Sequence, residues 1–251
     1  LCGLIEEKQT MLNVADTQTI LLYLEDERFS MFEGTVISSR RWLDMEQGIT
    51  GRYVHWRSPS GREIELTVKR MASLCQLSLF TIEYRVKALN FSGRVKLVSR
   101  HLGEVMNYSN ANDPRTARES VRYLYPEKAV VKDGASYLVS RTSRSGLEQC
   151  TGVKNILSKP CGSEVRLNGH SAEEVMEVPV GPGEEIVLVK YSVFADSIRA
   201  KDCLESAVAE MDKALGVPLD VHYEHQRSYL ENYWDNCMLE IDGDEELNIA
   251  V

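Results

Sequence analysis

The stretch FTIEYRVK, residues 80–87, alternates apolar and polar side chains along its whole length. Successive side chains of an extended chain point to opposite sides, so this period of two predicts a β-strand with one apolar and one charged face. We expect the apolar face to enter the core and the charged face to meet solvent, as in an antiparallel sheet. The expected core residues are Phe80, Ile82, Tyr84 and Val86.

Further segments of the chain are short, rich in Val, Ile, Leu, Thr and Tyr, and bounded by turn residues, which predicts more strands. They cover residues 17–24, 34–38, 49–56, 63–68, 95–99, 136–140, 164–167 and 185–191. No segment of helix length lies between them, which disfavours a parallel sheet with alternating helices. The sequence therefore predicts a mainly β fold, with antiparallel strands in a large sandwich or barrel.

Polar stretches mark the connections between these strands. Residues 58–61, SPSG, place Pro and Gly at the second and fourth positions that a type I turn favours. Residues 90–93, NFSG, predict a second hairpin turn, and residues 107–118 predict a long loop.

After residue 191 the pattern changes from strand to helix. Asp196 is the expected N-cap of a first helix, which ends at Gly216 with Pro218 just beyond. A second helix is expected from about Tyr223. It carries an apolar, largely aromatic stripe that comprises Tyr229, Leu230, Tyr233, Trp234 and Cys237.

The end of the chain resembles the start of a third helix. The sequence DGDEE at residues 242–246 fits a capped, acidic first turn, but the chain stops at Val251. A helix this short is marginal in water. We therefore expect a chain cut from a longer protein, with a β-sandwich domain in residues 1–195. Residues 196–251 would form a helical linker and the start of a further domain.

The composition narrows the class of protein. The net charge of −9 and the pI of about 5.2 oppose the basic surface that nucleic-acid binding needs. No apolar run approaches the roughly 18 residues of a membrane-spanning helix. The six cysteines are widely spaced without a CxxC pair. We expect reduced, mostly buried thiols in a cytoplasmic protein, and neither a zinc site nor a disulfide framework.

No group of residues predicts catalysis, and we assign no catalytic, cofactor-binding or metal-binding residue. The acidic cluster in residues 242–246 could bind a metal, but a helix start explains it without a ligand. His222 and His225 are three residues apart, whereas the histidines of the HExxH zinc motif are four apart. Some aromatic side chains could stack on sugar rings, although a place in the core is the commoner role. They are Trp42, Tyr53, Trp56 and Tyr108.

Several phrases resemble the N-terminal domain of glycoside hydrolase family 65, which holds the maltose, trehalose and kojibiose phosphorylases. The main ones are RWLDMEQGI at residues 41–49, WRSPSGR at residues 56–62 and RMASL at residues 70–74. The DPR of residues 113–115 and the PGE of residues 182–184 look similar too. The order and spacing of these phrases extend the resemblance over most of the chain.

The resemblance implies a galactose mutarotase-like β super-sandwich, two or three linker helices and an (α/α)6 catalytic barrel. It implies inverting cleavage of an α-glucoside disaccharide, with inorganic phosphate as co-substrate and the general acid, a Glu, in the barrel. This chain would then be a non-catalytic domain that supports the barrel and helps to form a homodimer. The residues expected to face the barrel are Tyr229, Leu230, Tyr233 and Trp234.

Three alternatives remain open. A family 65 hydrolase would use water where a phosphorylase uses phosphate, and only the barrel separates these two. A stand-alone carbohydrate-binding sandwich would bind sugar without any barrel. A purely structural assembly module would be distinguished by its oligomeric state.

Overall fold

The structure is a computed structural model that describes residues 11–110, 112, 122–237 and 243. Thirteen strands and two α-helices lie in these residues. The strands are β1 (Ile20–Leu24), β2 (Glu27–Arg28), β3 (Thr35–Asp44), β4 (Ile49–Arg57), β5 (Glu63–Ala72), β6 (Leu79–Ala88), β7 (Gly93–Leu102), β8 (Leu124–Lys132), β9 (Ala135–Thr142), β10 (Glu148–Leu157), β11 (Val165–Asn168), β12 (Ser171–Val180) and β13 (Glu185–Asp196). The helices are α1 (Cys203–Leu215) and α2 (Leu219–Cys237).

The strands form two antiparallel sheets that face each other. The smaller sheet has five strands in the order β11-β12-β7-β1-β2, and the larger has eight in the order β3-β4-β5-β6-β13-β10-β9-β8. One apolar core lies between them, with side chains from both sheets. It includes Leu22, Leu97 and Met176 of the smaller sheet and Trp56, Ile64, Ile82 and Ile186 of the larger one. The predicted mainly β, antiparallel fold is confirmed.

Strand β6 contains residues 80–87, and its apolar face enters the core as expected. Ile82, Tyr84 and Val86 are buried and Phe80 is partly buried against them. The expected solvated face is wrong in part, because Thr81 and Glu83 on that side are only 0% and 3% exposed. The two helices cover this side of the larger sheet.

Helix α1 packs on the outer face of the larger sheet and creates a second apolar core. Its buried residues meet β9, β10 and β13. Strand β13 also contributes Ile186 and Leu188 to the first core on its other face. The helix contributes Cys203, Ala207, Met211 and Ala214, and the sheet contributes Leu79, Tyr137, Val139, Cys150, Tyr191 and Val193. The central strands of the larger sheet are therefore covered on both sides.

The expected helix boundaries need correction. Asp196 is wrong as the N-cap, because β13 extends to this residue through its pairing with β10. The cap is Asp202, whose carboxylate accepts a hydrogen bond of 2.9 Å from the Glu205 amide. Gly216 is confirmed as the C-cap, and α2 begins at Leu219, before the expected start.

The sequence patterns miss strands β2, β8, β10 and β12. The predicted hairpin at residues 90–93 is wrong, because β6 and β7 lie in different sheets. The connection instead carries the chain from the larger sheet to the smaller one. The turn at residues 58–61 is present, with a 2.9 Å hydrogen bond from the Gly61 amide to the Ser58 carbonyl.

Part of the space between the sheets is polar. Lys190, on an inward position of β13, is 0% exposed and donates to the carbonyl oxygens of Arg100 at 2.6 Å and Thr19 at 3.3 Å. His101 lies nearby, 1% exposed, with its ring nitrogens 2.9 Å from the Ser136 hydroxyl and 2.7 Å from the Thr151 hydroxyl. Neither partner of His101 is near it in the sequence.

Burial sets the protonation of this polar region. Desolvation lowers the pKa of Lys190 to about 7, although the charges of Asp16 and Glu174 act in the opposite direction. Desolvation, together with the charge of Lys190, lowers the pKa of His101 to about 3. His101 is therefore neutral at physiological pH, and Lys190 is close to its midpoint.

We predict that Lys190→Met flattens the dependence of stability on pH above neutrality. The unfolded lysine has a pKa near 10.4, so between about pH 7 and pH 10 the unfolded chain binds the proton and the folded chain does not. Stability should rise through this window by at most about 1.4 kcal/mol per pH unit and stay level below it. Urea unfolding at pH 7, 8 and 9 measures the slope.

The exposed Lys132 supplies the control. Lys132→Met should keep the slope of the unsubstituted chain. An unchanged slope in Lys190→Met would contradict the assignment of this titration to Lys190.

Candidate functional site

Helix α2 is held at the end of the larger sheet by polar contacts from its first half. The Tyr223 hydroxyl donates to the buried Glu83 carboxylate at 3.0 Å. The Gln226 side chain accepts from the Leu74 amide at 2.8 Å and donates to the Ala72 carbonyl at 3.2 Å. These bonds satisfy groups at the end of β5 and fix the direction in which α2 crosses the sheet.

The second half of α2 reaches the turn between β3 and β4. The Trp234 indole donates to the Met45 carbonyl at 3.0 Å. Leu230 is 8% exposed and lies against Gly48, where an added Cβ would come within 2.7 Å of its Cδ1 atom. Gly48 also has a positive φ of 62°, so this position favours glycine for two independent reasons.

The structure divides the four residues that the sequence assigns to a domain interface. Leu230 and Trp234 pack on the β3–β4 turn. Tyr229 and Tyr233 stay 48% and 49% exposed, although they belong to the same helix. The aromatic stripe therefore has one side that anchors α2 to the sheet and another that is open to a partner.

We call the open part the α2 surface. It consists of Tyr229, Tyr233 and Met45, and the Met45 side chain is 56% exposed. The rings of Tyr233 and Trp234 meet edge to face with centroids 5.0 Å apart. Large aromatic side chains on a fixed helix are the kind of residue that dominates protein interfaces.

The candidate metal ligands are not brought together in the described part of the chain, where no group of His, Cys, Asp and Glu could hold a metal ion. His222 is buried and its Nε2 atom lies 2.9 Å from the Ala214 carbonyl, which links α2 to α1. The backbone carbonyl of His225 accepts a hydrogen bond from the Cys75 thiol. The acidic residues Asp242, Asp244, Glu245 and Glu246 lie outside the described residues.

The described cysteines, Cys75, Cys150, Cys161, Cys203 and Cys237, are free. The expectation that most of them are buried is wrong, because only Cys150 and Cys203 are buried. Desolvation raises the pKa of Cys150 to about 12 and that of Cys203 to about 11. Both thiols are thus protonated and behave as apolar core side chains.

The four candidate sugar-stacking residues do not form one platform. Trp56 is a core residue at 0% exposure, and its indole donates to the Glu33 carbonyl. Trp42 packs against Gly51 on β4, and the Tyr53 hydroxyl donates to Glu65 at 2.9 Å. Tyr108 is 71% exposed in a separate loop.

No helix in the described part of the chain is long and apolar enough to cross a membrane.

Comparison with known families identifies the domain. The model for the glycosyl hydrolase family 65 N-terminal domain matches residues 2–233. The chain belongs to this family. The resemblance that residues 41–49, 56–62 and 70–74 carry is thereby confirmed.

Relatives of this family 65 domain include phosphorylases of two disaccharides. The α,α-trehalose phosphorylase of Geobacillus stearothermophilus is 32% identical over 98% of this chain and 32% of its own length. The kojibiose phosphorylase of Halothermothrix orenii is 27% identical over 95% of this chain and 31% of its own length. The chain therefore spans about a third of the length of the relatives that it matches.

A solved structure shares the fold. A human-microbiome protein assigned as a kojibiose phosphorylase superposes with a TM-score of 0.73 and 13% identity. The match covers 89% of this chain and 28% of that one. Identity this low supports a common architecture of antiparallel sheets and says nothing about the substrate.

The phrase WRSPSGR of the family 65 domain closes around one carboxylate. Glu27 on β2 accepts hydrogen bonds from the Ser58 hydroxyl at 2.8 Å, the Ser60 amide at 2.9 Å and the Arg62 guanidinium at 2.7 Å. This bond set ties the edge of the smaller sheet to the β4–β5 turn of the larger one. The polar residues of the phrase are thus structural.

The same contacts set the ionisation of Glu27. Desolvation opposes the charged form, but the hydrogen bonds from Ser60, Ser58 and Arg62 outweigh it and lower the pKa of Glu27 to about 2. A carboxyl group with a depressed pKa stabilises the fold above its unfolded pKa of about 4.3. That contribution is lost as the pH falls toward 2.

We predict that Glu27→Gln lowers the free energy of unfolding by roughly 2 kcal/mol at pH 7, because charge-assisted hydrogen bonds become neutral ones. The variant should lose less stability than the unsubstituted chain between pH 5 and about pH 3. Urea unfolding at both ends of this range measures the two effects.

The nearby exposed Glu33 is the matched control, because its side chain makes no hydrogen bond within the described residues. Glu33→Gln should change the stability by less than about 0.5 kcal/mol. Equal stability of Glu27→Gln and the unsubstituted chain at pH 7 would refute the role given to Glu27.

Proposed function

We propose that this chain is the non-catalytic N-terminal domain of an inverting α-glucoside phosphorylase. The observation that carries the proposal is the family 65 match over residues 2–233, with trehalose and kojibiose phosphorylases among the relatives. The catalytic (α/α)6 barrel would lie in the part of the protein beyond this chain. Trehalose, kojibiose and maltose are the candidate substrates, and inorganic phosphate is the co-substrate.

We also propose a specific type of β-sandwich and a third linker helix. The two packed sheets would be a β super-sandwich of the galactose mutarotase type, and a third linker helix would begin beyond α2. We retain the division into a β domain, residues 1–195, and a helical linker, residues 196–251. The linker would also close the outer face of the β domain through α1, whose buried side chains pack there.

The α2 surface is the proposed contact with the barrel. Tyr229 and Tyr233 are half exposed on a helix whose other side is fixed by Leu230, Gln226 and Trp234. An aromatic pair held on a rigid support loses little conformational entropy when it becomes buried. Burial of such apolar surface gains about 25 cal/mol for each Å² covered.

The chemistry would then come from the barrel. Inverting cleavage needs a general acid on one side of the glycosidic bond and a nucleophile on the other, and phosphate supplies the nucleophile. We further propose a cytoplasmic location, which the free thiols of the described cysteines fit. We also propose that the protein forms a homodimer.

The hydrolase and sugar-binding alternatives predict different products and different surfaces. A family 65 hydrolase would release glucose from its disaccharide without phosphate. A stand-alone sugar-binding sandwich would need an exposed aromatic platform, and the dispersed positions of Trp42, Trp56 and Tyr108 do not favour one.

We predict that Tyr229→Ala/Tyr233→Ala lowers phosphate-dependent glucose 1-phosphate release from trehalose, kojibiose or maltose by at least about tenfold in the full-length protein. The reason is the loss of about 2–4 kcal/mol of aromatic interface contacts. The 251-residue chain alone should release no product. Coupled assays with and without phosphate measure both.

Tyr125 on β8 is a matched control, because it is also 48% exposed and lies on another face. Tyr125→Ala should keep full activity. The proposal fails if the double variant is as active as this control, or if glucose appears without phosphate in the full-length protein.

A further inference from the structure

Three arginines of the larger sheet share one face. Arg41 lies on β3, Arg52 on β4 and Arg70 on β5. Arg41 pairs directly with Arg52, and Arg52 pairs with Val68, two residues from Arg70 on the same side of β5. Side chains of directly paired residues lie about 5 Å apart at Cβ, and diagonal neighbours about 7 Å apart. All three guanidinium groups are therefore within reach of one small ligand.

These arginines belong to the side of the sheet that forms the main core, but at a place where the core ends. Val68 is buried between the sheets, whereas Arg41 is exposed and the other two arginines are half-buried. The larger sheet has eight strands against five in the smaller one, and β3 is its edge strand. The arginines thus line an open margin of the sandwich.

None of the three arginine side chains has an ion pair or hydrogen bond with another described residue. By contrast, Arg57 and Arg62 on neighbouring positions are paired with Glu63 and Glu27. The Nε atom of Arg70 is buried and has no hydrogen-bond partner within the described residues. A buried donor without a partner costs roughly 1–3 kcal/mol.

The cluster is unfavourable for the fold by itself. Like charges directly opposite each other on neighbouring strands destabilise a sheet, and Arg41 and Arg52 are such a pair. The chain has 38 acidic residues against 29 basic ones, so carboxylates are plentiful. Yet Asp44 on β3 directs both carboxylate oxygens to Gln47. An arrangement that repels itself in this way is stabilised by an anion.

We propose that Arg41, Arg52 and Arg70 form a binding site for a phosphate group, either free phosphate or the phosphate of a sugar phosphate. Each guanidinium presents a planar fork of N–H donors that matches two phosphate oxygens. A phosphate dianion would neutralise the repulsion between Arg41 and Arg52 and give the Arg70 Nε donor an acceptor. This choice of ligands rests on the proposed function, because phosphorolysis consumes free phosphate and releases a sugar phosphate.

Two of the proposed ligand residues belong to the phrases that resemble family 65. Arg41 opens RWLDMEQGI and Arg70 opens RMASL, the phrases that carry the family resemblance. Their other residues serve the fold, since Trp42 packs on Gly51 and the Leu74 amide binds Gln226. The two arginines have no comparable task within the described residues.

The test is isothermal titration calorimetry of the purified chain with inorganic phosphate, at an ionic strength held constant with sodium chloride. The expected result is saturable binding, weakened roughly tenfold or more in Arg41→Ala and in Arg52→Lys. Arg52→Lys keeps the charge and removes the fork, so its loss separates a shaped site from simple charge attraction. Arg41 is exposed and faces Arg52, so its variant should unfold at the thermal midpoint of the unsubstituted chain or above it.

Arg166 on β11 is the control, because it is exposed and makes no ion pair within the described residues. Arg166→Ala should bind phosphate as the unsubstituted chain does. The same titration is carried out with glucose 1-phosphate and with glucose. Tighter binding of glucose 1-phosphate than of phosphate identifies a sugar phosphate as the ligand, equal binding identifies free phosphate, and glucose alone should not bind.

The site does not exist if phosphate shows no saturable binding, or if Arg41→Ala and Arg52→Lys bind it as the unsubstituted chain does. These results are separate from the assay of the full-length protein. Phosphorolysis without phosphate binding by this chain would keep the proposed function and remove the site.

Discussion

The larger sheet must bury both of its faces, and most of the structure follows from that requirement. Strands β6 and β13 contribute Ile82, Tyr84 and Ile186 to the core between the sheets and Leu79 and Val193 to the core beneath α1. A sheet that is apolar on both sides needs a layer on each side. The five-stranded sheet supplies one layer and the two helices supply the other, so α1 and α2 are a structural part of the β domain as well as a connection.

The sequence predicts what depends on local pattern. Strand β6 follows from alternation alone, and Gly216 ends α1 as its position suggests. Strand β12 also alternates, with Met176 and Val178 inward, but its glutamates and proline mask the pattern. Contacts between distant residues leave no such signal. The partners of His101 are 35 and 50 residues away, and the Gln226 bond to Leu74 spans 152.

In the candidate site, too, the local pattern is visible in the sequence and the contacts between distant residues are not. The aromatic stripe of α2 is visible in the sequence, but only the structure separates Leu230 and Trp234, which anchor the helix, from Tyr229 and Tyr233, which remain open. The Glu27 bond set and the three arginines depend on strand pairing and turn geometry. Polar residues at inward strand positions, Lys190 on β13 and His101 on β7, are the signal of the buried polar region that a sequence carries.

The most direct test of this account compares the full chain with residues 1–195 alone. Both are studied by urea unfolding and, in a separate experiment, by hydrogen exchange. Without α1, the surface that Ala207, Met211 and Ala214 cover would be open to water. The account predicts that the shorter chain loses cooperative unfolding and protection in β6 and β13, and binds a hydrophobic dye. A shorter chain with the same unfolding midpoint and the same protection would contradict it.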